Sequence, residues 1–293
     1  MATKQIRSRQ RTIRGHERTS ALKSVYSFEE GSKLAKERGD LPKDLLGGKG
    51  AVLADMTGLG LPVPGGFTVT TEACHFYHTN HDYPKGFWDE FKLQLKTLEG
   101  STGKKFGSKE NPLLVSVRSG AALSMPGMMD TILNLGLNDD TIQGLMSRTD
   151  NERFCYDAYR RFVNMFGDVV LGVPHEEFEE ILSGMKKERG VKLDTELNAH
   201  DLKKLVGLYK RLVEEKTKKP FPKEPLEQLK LSVEAVFNSW DNDRAKAYRR
   251  INKITGLKGT AVNVQSMVFG NMGSSSATGV AFTRNPSTGK KEF

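Results

Sequence analysis

Segments with strand composition occur on both sides of a long stretch of helix-forming residues, and this order limits the folds open to the chain. Residues 67–70 and 113–117 are rich in β-branched and other apolar residues, and residues 260–269 and 279–284 repeat that composition near the end. The intervening stretch, from about residue 139 to 221, is helical in character. The order predicts an α+β fold with an inserted helical subdomain.

Within the insertion, residues 151–166, 175–187 and 200–216 show the apolar spacing of amphipathic helices. The Lys- and Pro-rich residues 216–225 (KTKKPFPKEP) indicate an exit linker. A further helix is predicted over residues 226–250. Its expected inner face consists of Leu229, Val233, Val236, Phe237 and Trp240.

Most of the formal net charge of +9 lies at the N-terminus. Residues 1–24 carry seven basic groups and one acidic group, which is +6 of the total. We predict that this basic extension is disordered, because it has too few apolar residues to pack. The basic groups at residues 186–189 and 216–223 are expected to form solvated faces without the aromatic interleaving typical of base stacking, so we expect no nucleic-acid partner.

The composition also limits the compartment. No run of about 18 apolar residues is present, so no membrane partner is expected. Cys74 and Cys155 cannot build a disulfide framework, which favours a reducing compartment. We therefore expect a cytoplasmic location, with a plastid or other organelle as the alternative if the basic extension is a transit peptide.

One group of potential metal ligands is rejected. Cys74, His75, His78 and His81 fall within eight residues, whereas structural zinc is usually held by two spaced ligand pairs. No metal ligand is assigned in this chain.

Residues 47–50 (GGKG) precede a short predicted helix over residues 51–56. Glycines there would let backbone N–H groups approach an anion at the helix N-terminus, and Lys49 would add a positive charge. The loop is not a Walker A motif, because Lys49 is followed by Gly50 rather than Ser or Thr. The alternative is a loop that only needs glycine backbone freedom beside an exposed lysine.

A second candidate lies where the strand 113–117 leads into Arg118. The guanidinium at the end of a buried strand must be paired or directed into a cleft, and phosphate is a frequent bidentate partner. The following residues 124–131 (SMPGMMDT) supply a glycine and three methionines, which would suit the apolar side of a nucleotide cleft. An internal Arg–carboxylate pair beside core methionines is the alternative.

A third candidate is the loop 270–279 (GNMGSSSATG), expected between strands 260–269 and 279–284. Its glycines and hydroxyls could fold over a triphosphate, or form a simple hairpin tip.

Four segments together carry a specific resemblance: residues 44–74, 115–138, 154–171 and 259–289. They are similar, in the same order, to the N-terminal nucleotide-binding domain of the pyruvate, phosphate dikinase family. The resemblance implies an ATP-grasp fold that is incomplete at the C-terminus. It divides the chain into a first lobe (25–138), a helical insertion (139–221), a returning helix (222–258) and the start of a second lobe (259–293).

The resemblance also assigns residues to the nucleotide. Lys49 and Arg118 match the phosphate-binding lysine and arginine of the family. Gly127, Met128 and Met129 match the loop beside the nucleotide. Gln265 falls on the strand that lines the pocket, and Thr278 with Gly279 matches the glycine-rich hairpin.

The implied activity is conversion of ATP, pyruvate and phosphate to AMP, phosphoenolpyruvate and diphosphate, through a histidine on a separate swivelling domain. The ligands of Mg²⁺, the phosphohistidine domain and the pyruvate-binding barrel are expected beyond residue 293, so no catalytic residue is assigned here and the fragment alone is expected to be inactive. The complete enzyme is expected to be a homo-oligomer. The alternatives are a phosphoenolpyruvate synthase-type dikinase and a non-catalytic nucleotide-binding or interaction fragment.

Overall fold

The computed structural model describes residues 23–292. The predicted disordered extension therefore lies outside the described residues, except for its last two positions. Ser24 is buried and belongs to the fold, since its carbonyl accepts a hydrogen bond from the Thr70 N–H at 2.9 Å. The fold thus begins slightly before the predicted boundary at residue 24.

Most strands of the described chain form one five-stranded sheet. Its order is β1-β2-β7-β5-β6, and every neighbouring pair is antiparallel. A separate pair, β3-β4, is parallel. The strands are β1 (Val25–Ser27), β2 (Gly66–Val69), β3 (Lys105–Phe106), β4 (Pro112–Leu113), β5 (Val115–Gly120), β6 (Thr131–Leu135) and β7 (Ala261–Ser266).

Helices make up most of the remaining regular structure. They are α1 (Phe28–Arg38), α2 (Lys43–Gly58), α3 (Thr71–Asn80), α4 (Phe87–Thr102), α5 (Thr141–Thr149), α6 (Glu152–Val169), α7 (His175–Arg189), α8 (Ala199–Thr217), α9 (Pro225–Ser239) and α10 (Asp243–Ile251). Between residues 23 and 292, none of them combines the length and apolarity needed to cross a membrane.

The two faces of the large sheet differ because side chains alternate along each strand. Val117 on β5 and Val262 and Val264 on β7 are completely buried on one face. That face packs against α4 and α9; for example, Phe67 meets Phe91 of α4 edge to face, with ring centroids 5.0 Å apart. The opposite face carries polar side chains and is covered by α2, so the sheet separates an apolar core from a polar layer.

The predicted inner face is confirmed, since its four residues in α9 and Trp240, directly after the helix, are all buried. The predicted single helix over 226–250 is wrong, however, because the chain breaks between α9 and α10. Asn242 causes the restart: its side-chain oxygen accepts from the Ala245 N–H at 2.7 Å as an N-cap, and its Nδ2 donates to the Met128 carbonyl at 3.0 Å.

Helices α5 to α8 occupy the stretch predicted to be helical. They confirm the helices expected over 151–166, 175–187 and 200–216. Helix α6 contacts strand β6 directly, and its buried residues belong to the same continuous apolar cluster as the sheet. The helical stretch therefore shares its core with the strands around it.

Strand β7 follows residue 259, where the start of a second lobe is predicted. It lies at the centre of the large sheet and pairs with β2 and β5. The strand expected over 279–284 is not formed. Val280 and Phe282 are 81% and 56% exposed, and no strand of residues 23–292 lies beside them to pair with their backbone.

Candidate nucleotide-binding site

A kink in α2 places Lys49 beside the end of β5. Gly47 has φ 67° and ψ 169°, a conformation essentially restricted to glycine, and it interrupts the helix before Lys49. A Cβ on Gly47 would lie 1.6 Å from the Gly120 carbonyl oxygen, so only glycine fits there. The next residue, Gly48, donates its N–H to the Ala121 carbonyl at 2.9 Å and ties the two loops together.

The polar face of the sheet carries Arg118. The structure extends β5 through Gly120, so Arg118 lies within the strand and not in a loop after it, because β7 pairs with β5 as far as Gly120. Arg118 is directly opposite Asn263 on β7, and directly opposed residues of antiparallel strands project to the same face. Gln265, two residues along β7, lies on that face as well.

Lys49 and Arg118 line one cavity of about 950 Å³, a volume within the range of small-molecule sites. Its wall combines α2, the loop after β5 and strand β7. The lining residues are Lys43, Gly48, Lys49, Val52, Leu53, Arg118, Ser119, Gly120, Ala121, Ala122, Leu123, Ser124, Met125, Pro126, Gly127, Met129, Thr131, Asn263 and Gln265.

The charges of this wall all have one sign. Three lining residues are basic, and no residue of the lining is acidic. Arg118 also takes part in none of the ion pairs found among residues 23–292, which argues against the internal Arg–carboxylate pair left open by the sequence. Desolvation, and then the charge of Arg118, lower the pKa of Lys49. The positive charge of the cavity wall therefore favours the binding of an anion.

The predicted site residues divide into two groups. Lys49, Arg118, Gly127, Met129 and Gln265 line the cavity, and Gln265 is fixed by a hydrogen bond from its Nε2 to the Pro64 carbonyl at 2.9 Å. Met128 lies between two lining residues, and its carbonyl accepts from Asn242 as described above.

The structure places the other two predicted residues elsewhere. Thr278 lines a different cavity, beside α6, and Gly279 is exposed. Sequence reasoning missed Lys43 and Asn263, which do line the cavity of Lys49 and Arg118. The alternation of 261–266 (AVNVQS) contained a signal for Asn263, because it places that residue on the same strand face as Gln265.

Two of the four rejected zinc candidates, Cys74 and His78, are held within the fold. Cys74 is buried, and burial raises the pKa of its thiol to about 12, which disfavours the thiolate that zinc requires. His78 Nε2 lies 2.9 Å from the Phe237 carbonyl. Across residues 23–292, no three His, Cys, Asp or Glu side chains come together in a group that could hold a metal ion.

Several known proteins are similar to this chain. It is 60% identical over 251 residues to pyruvate, phosphate dikinase 2 of Oryza sativa subsp. japonica, covering 86% of the chain and 28% of the rice protein. It is 55% identical over 276 residues to the chloroplastic pyruvate, phosphate dikinase of Flaveria trinervia, with 94% and 28% covered. It is 55% identical over 271 residues to pyruvate, phosphate dikinase of Clostridium symbiosum, with 92% and 30% covered.

The chain thus spans about three tenths of the length of these relatives. Its sequence also matches a protein family described as "Pyruvate phosphate dikinase, AMP/ATP-binding domain", over residues 43–85 and 83–293. These ranges include α2 with Lys49, β5 with Arg118 and β7 with Gln265. The chain belongs to the pyruvate phosphate dikinase AMP/ATP-binding domain family.

Proposed function

We propose that this chain is the ATP-binding part of a pyruvate, phosphate dikinase, an enzyme that converts ATP, pyruvate and phosphate to AMP, phosphoenolpyruvate and diphosphate. The observation that carries the proposal is the cavity wall, where Lys49 and Arg118 meet without any acidic lining residue. The reaction is the one implied by the sequence resemblance, and family membership and the names of the relatives support it.

Lys49 and Arg118 bind the phosphates of ATP in this proposal. Phosphoryl transfer depends mainly on positioning the phosphates and neutralising their charge, and two cations fixed on rigid elements can do both. The apolar part of the wall, with Val52, Leu53 and Met129, suits the adenine ring. The β,γ-pyrophosphoryl group then passes to a histidine outside this chain, and pyruvate and phosphate act through other parts of the enzyme.

Thr278 and Gly279 remain part of the proposed nucleotide site on the strength of the resemblance. They would need to move toward Lys49 to contact the same nucleotide. The family also implies Mg²⁺, but the lining of the cavity offers no carboxylate, and residues 23–292 contain no cluster of three or more His, Cys, Asp or Glu side chains that could hold a metal ion. The lining of this cavity therefore does not fit a magnesium site by itself.

We propose an ATP-grasp architecture in which residues 139–221 are an inserted helical subdomain. Four consecutive helices, α5 to α8, support the insertion. For the complete enzyme we propose a homo-oligomer, and its mass in solution by light scattering tests that proposal.

For the compartment we propose the cytoplasm, with an organelle as the alternative. The Flaveria trinervia relative is named chloroplastic. A fluorescent fusion of the full chain, compared with a fusion that lacks residues 1–22, distinguishes the two locations.

Arg118→Ala tests the proposed function. In a full-length dikinase that carries this chain, we expect the variant to lose ATP-dependent release of diphosphate, because a charge-assisted contact to phosphate disappears. The matched control is Arg148→Ala, which changes an exposed arginine on α5 outside the cavity. Unchanged turnover of the Arg118 variant would contradict the assignment of phosphate binding to Arg118.

The chain alone provides a second test. We expect weak ATP binding, because the described cavity lacks magnesium ligands. Arg118→Ala should weaken it by a further factor of about 10 to 100, the value of a hydrogen bond to a charged group. Titration by NMR measures such weak affinities, and submicromolar binding in calorimetry would contradict the expectation.

A further inference from the structure

Asn263 lies at the centre of the polar face of the sheet and has an unused hydrogen-bond donor. Its side chain lines the cavity of Lys49 and Arg118, yet the residue is only 1% exposed. Its Nδ2 has no hydrogen-bond partner. Buried polar groups are paired in most native structures, so a buried, unpaired amide beside a cavity needs an explanation.

The orientation of the amide is set by Thr68. Thr68 on β2 is directly opposite Asn263, and its hydroxyl donates to Asn263 Oδ1 at 2.8 Å. With the oxygen held toward β2, the nitrogen faces β5, the strand that carries Arg118. The unpaired Nδ2 of Asn263 thus lies on the side of the amide that faces Arg118 and Lys49.

Two glycines leave room for this amide. A Cβ on Gly50 would come within 2.8 Å of Asn263 Oδ1, and a Cβ on Gly120 would come within 2.6 Å of Nδ2. The same Cβ on Gly120 would lie 3.5 Å from the Cβ of Lys49. A side chain on Gly120 would therefore point toward both Lys49 and the unpaired Nδ2 of Asn263.

We propose that Asn263 is a further ligand-binding residue, which donates a hydrogen bond from Nδ2 to the polyphosphate of the bound nucleotide, beside Lys49 and Arg118. The inference rests on the proposed function, because it takes the cavity to be the phosphate site. Phosphate oxygens accept several hydrogen bonds, and a neutral amide held by Thr68 adds a directed donor without further positive charge. A bound phosphate would also satisfy the one unpaired group of this side chain.

The first experiment follows the side-chain amide of Asn263 in the unmodified full chain. The ¹H–¹⁵N signals of its NH₂ group are recorded while inorganic tripolyphosphate, and separately ATP, is added to millimolar concentration. We expect the Asn263 signals to move with the same dissociation constant as the backbone signals of Gly48 and Gly120. Saturated backbone shifts with an unmoved Asn263 signal would overturn the inference.

The second experiment compares two Asn-to-Asp variants. Asn263→Asp keeps the shape and the bond from Thr68 but replaces the donor with a negative oxygen, so we expect ATP affinity to fall about tenfold or more. Asn111→Asp is the matched control, since Asn111 also has a buried, unpaired amide atom but lines neither this cavity nor that of Thr278. Its affinity should stay within about twofold of the unmodified chain, the scatter of a remote substitution.

The variants separate failure of the inference from failure of the proposed function. If Arg118→Ala weakens binding and Asn263→Asp does not, only the role of Asn263 is wrong. If neither substitution changes ATP binding, or if no signal of the unmodified chain responds to either phosphate compound, the phosphate site itself is wrong. Because the first experiment needs no substitution, the proposal stays testable even if Asn263→Asp fails to fold.

Discussion

At the scale of single residues, the candidate site depends on where two cations are held. Lys49 and Arg118 are 69 positions apart in the sequence, yet they line one cavity. The sequence identified both as phosphate-compatible, Lys49 because it lies between two glycines before a predicted helix, and Arg118 because it follows a predicted buried strand. Asn263 was missed, although the alternation of residues 261–266 places it on the same strand face as Gln265.

Lys49 leads to a prediction about protons. Desolvation and Arg118 lower its pKa below 10.5 in the free protein, so its charged form is disfavoured there. A bound phosphate favours the charged form and raises that pKa again, so ATP binding should take up protons at pH values between the free and bound pKa. Calorimetry at a series of pH values below 10.5, in buffers of different ionisation enthalpy, measures the uptake.

The control for that measurement is a pair of lysine variants. Lys49→Met should abolish most of the uptake, whereas Lys96→Met, on the exposed side of α4, should leave it unchanged. Equal proton uptake in both variants would contradict the assignment to Lys49.

In the absence of ligand, the lowered pKa of Lys49 predicts that the folded chain gains stability as pH rises from the pKa of folded Lys49 toward 10.5.

At the scale of elements, the helix α2 and the strand β5 work as one unit. The GGKG sequence was compatible with an anion loop or with a loop that needs glycine for its backbone. The structure supports the second explanation for Gly47, by its positive φ and its contact with Gly120, and the same kink places Lys49 at the cavity. The need for glycine in the backbone and the binding of an anion are therefore compatible explanations of this loop.

The kink predicts a large effect of Gly47→Ala. Its φ/ψ region and the collision with the Gly120 carbonyl should together cost about 3 kcal/mol or more of unfolding free energy. Gly60→Ala is the matched control, because Gly60 also has a positive φ of 75° but no atom within 4 Å of an added Cβ. It should cost about 1 to 2 kcal/mol. Urea denaturation measures both, and similar values would contradict the role of the close approach.

At the scale of the whole molecule, the order of the sheet decides which part of the chain completes the fold. Strand β7 is last in sequence but central in space, between β2 and β5. The apolar and β-branched residues of the range 260–269 correctly predicted a strand over part of it. Which sheet it joins could not be predicted, because antiparallel pairing depends on partners nearly 200 residues away.

The central position of β7 predicts the outcome of two truncations. A chain ending at Lys258 loses the strand that links β2 to β5, so we expect no cooperative unfolding transition. A chain ending at Gly273 keeps β7 and removes residues that are largely exposed, so its transition should stay close to that of the full chain. Thermal unfolding followed by circular dichroism compares the two. A cooperative transition in the shorter chain would show that residue 259 is a true domain boundary.

The sequence by itself determined the main helices, the strand segments and the two phosphate-compatible cations, because amphipathic period, strand composition and glycine position are local properties. It also determined the inner face of α9, from Leu229 to Trp240, since that face follows from the helical period alone. Only the tertiary structure decided that Arg118 shares one face of the sheet with Asn263 and Gln265, with Lys49 of α2 beside it. That arrangement depends on strand register and on the close contact of Gly47 with Gly120, and both are set by residues distant in sequence.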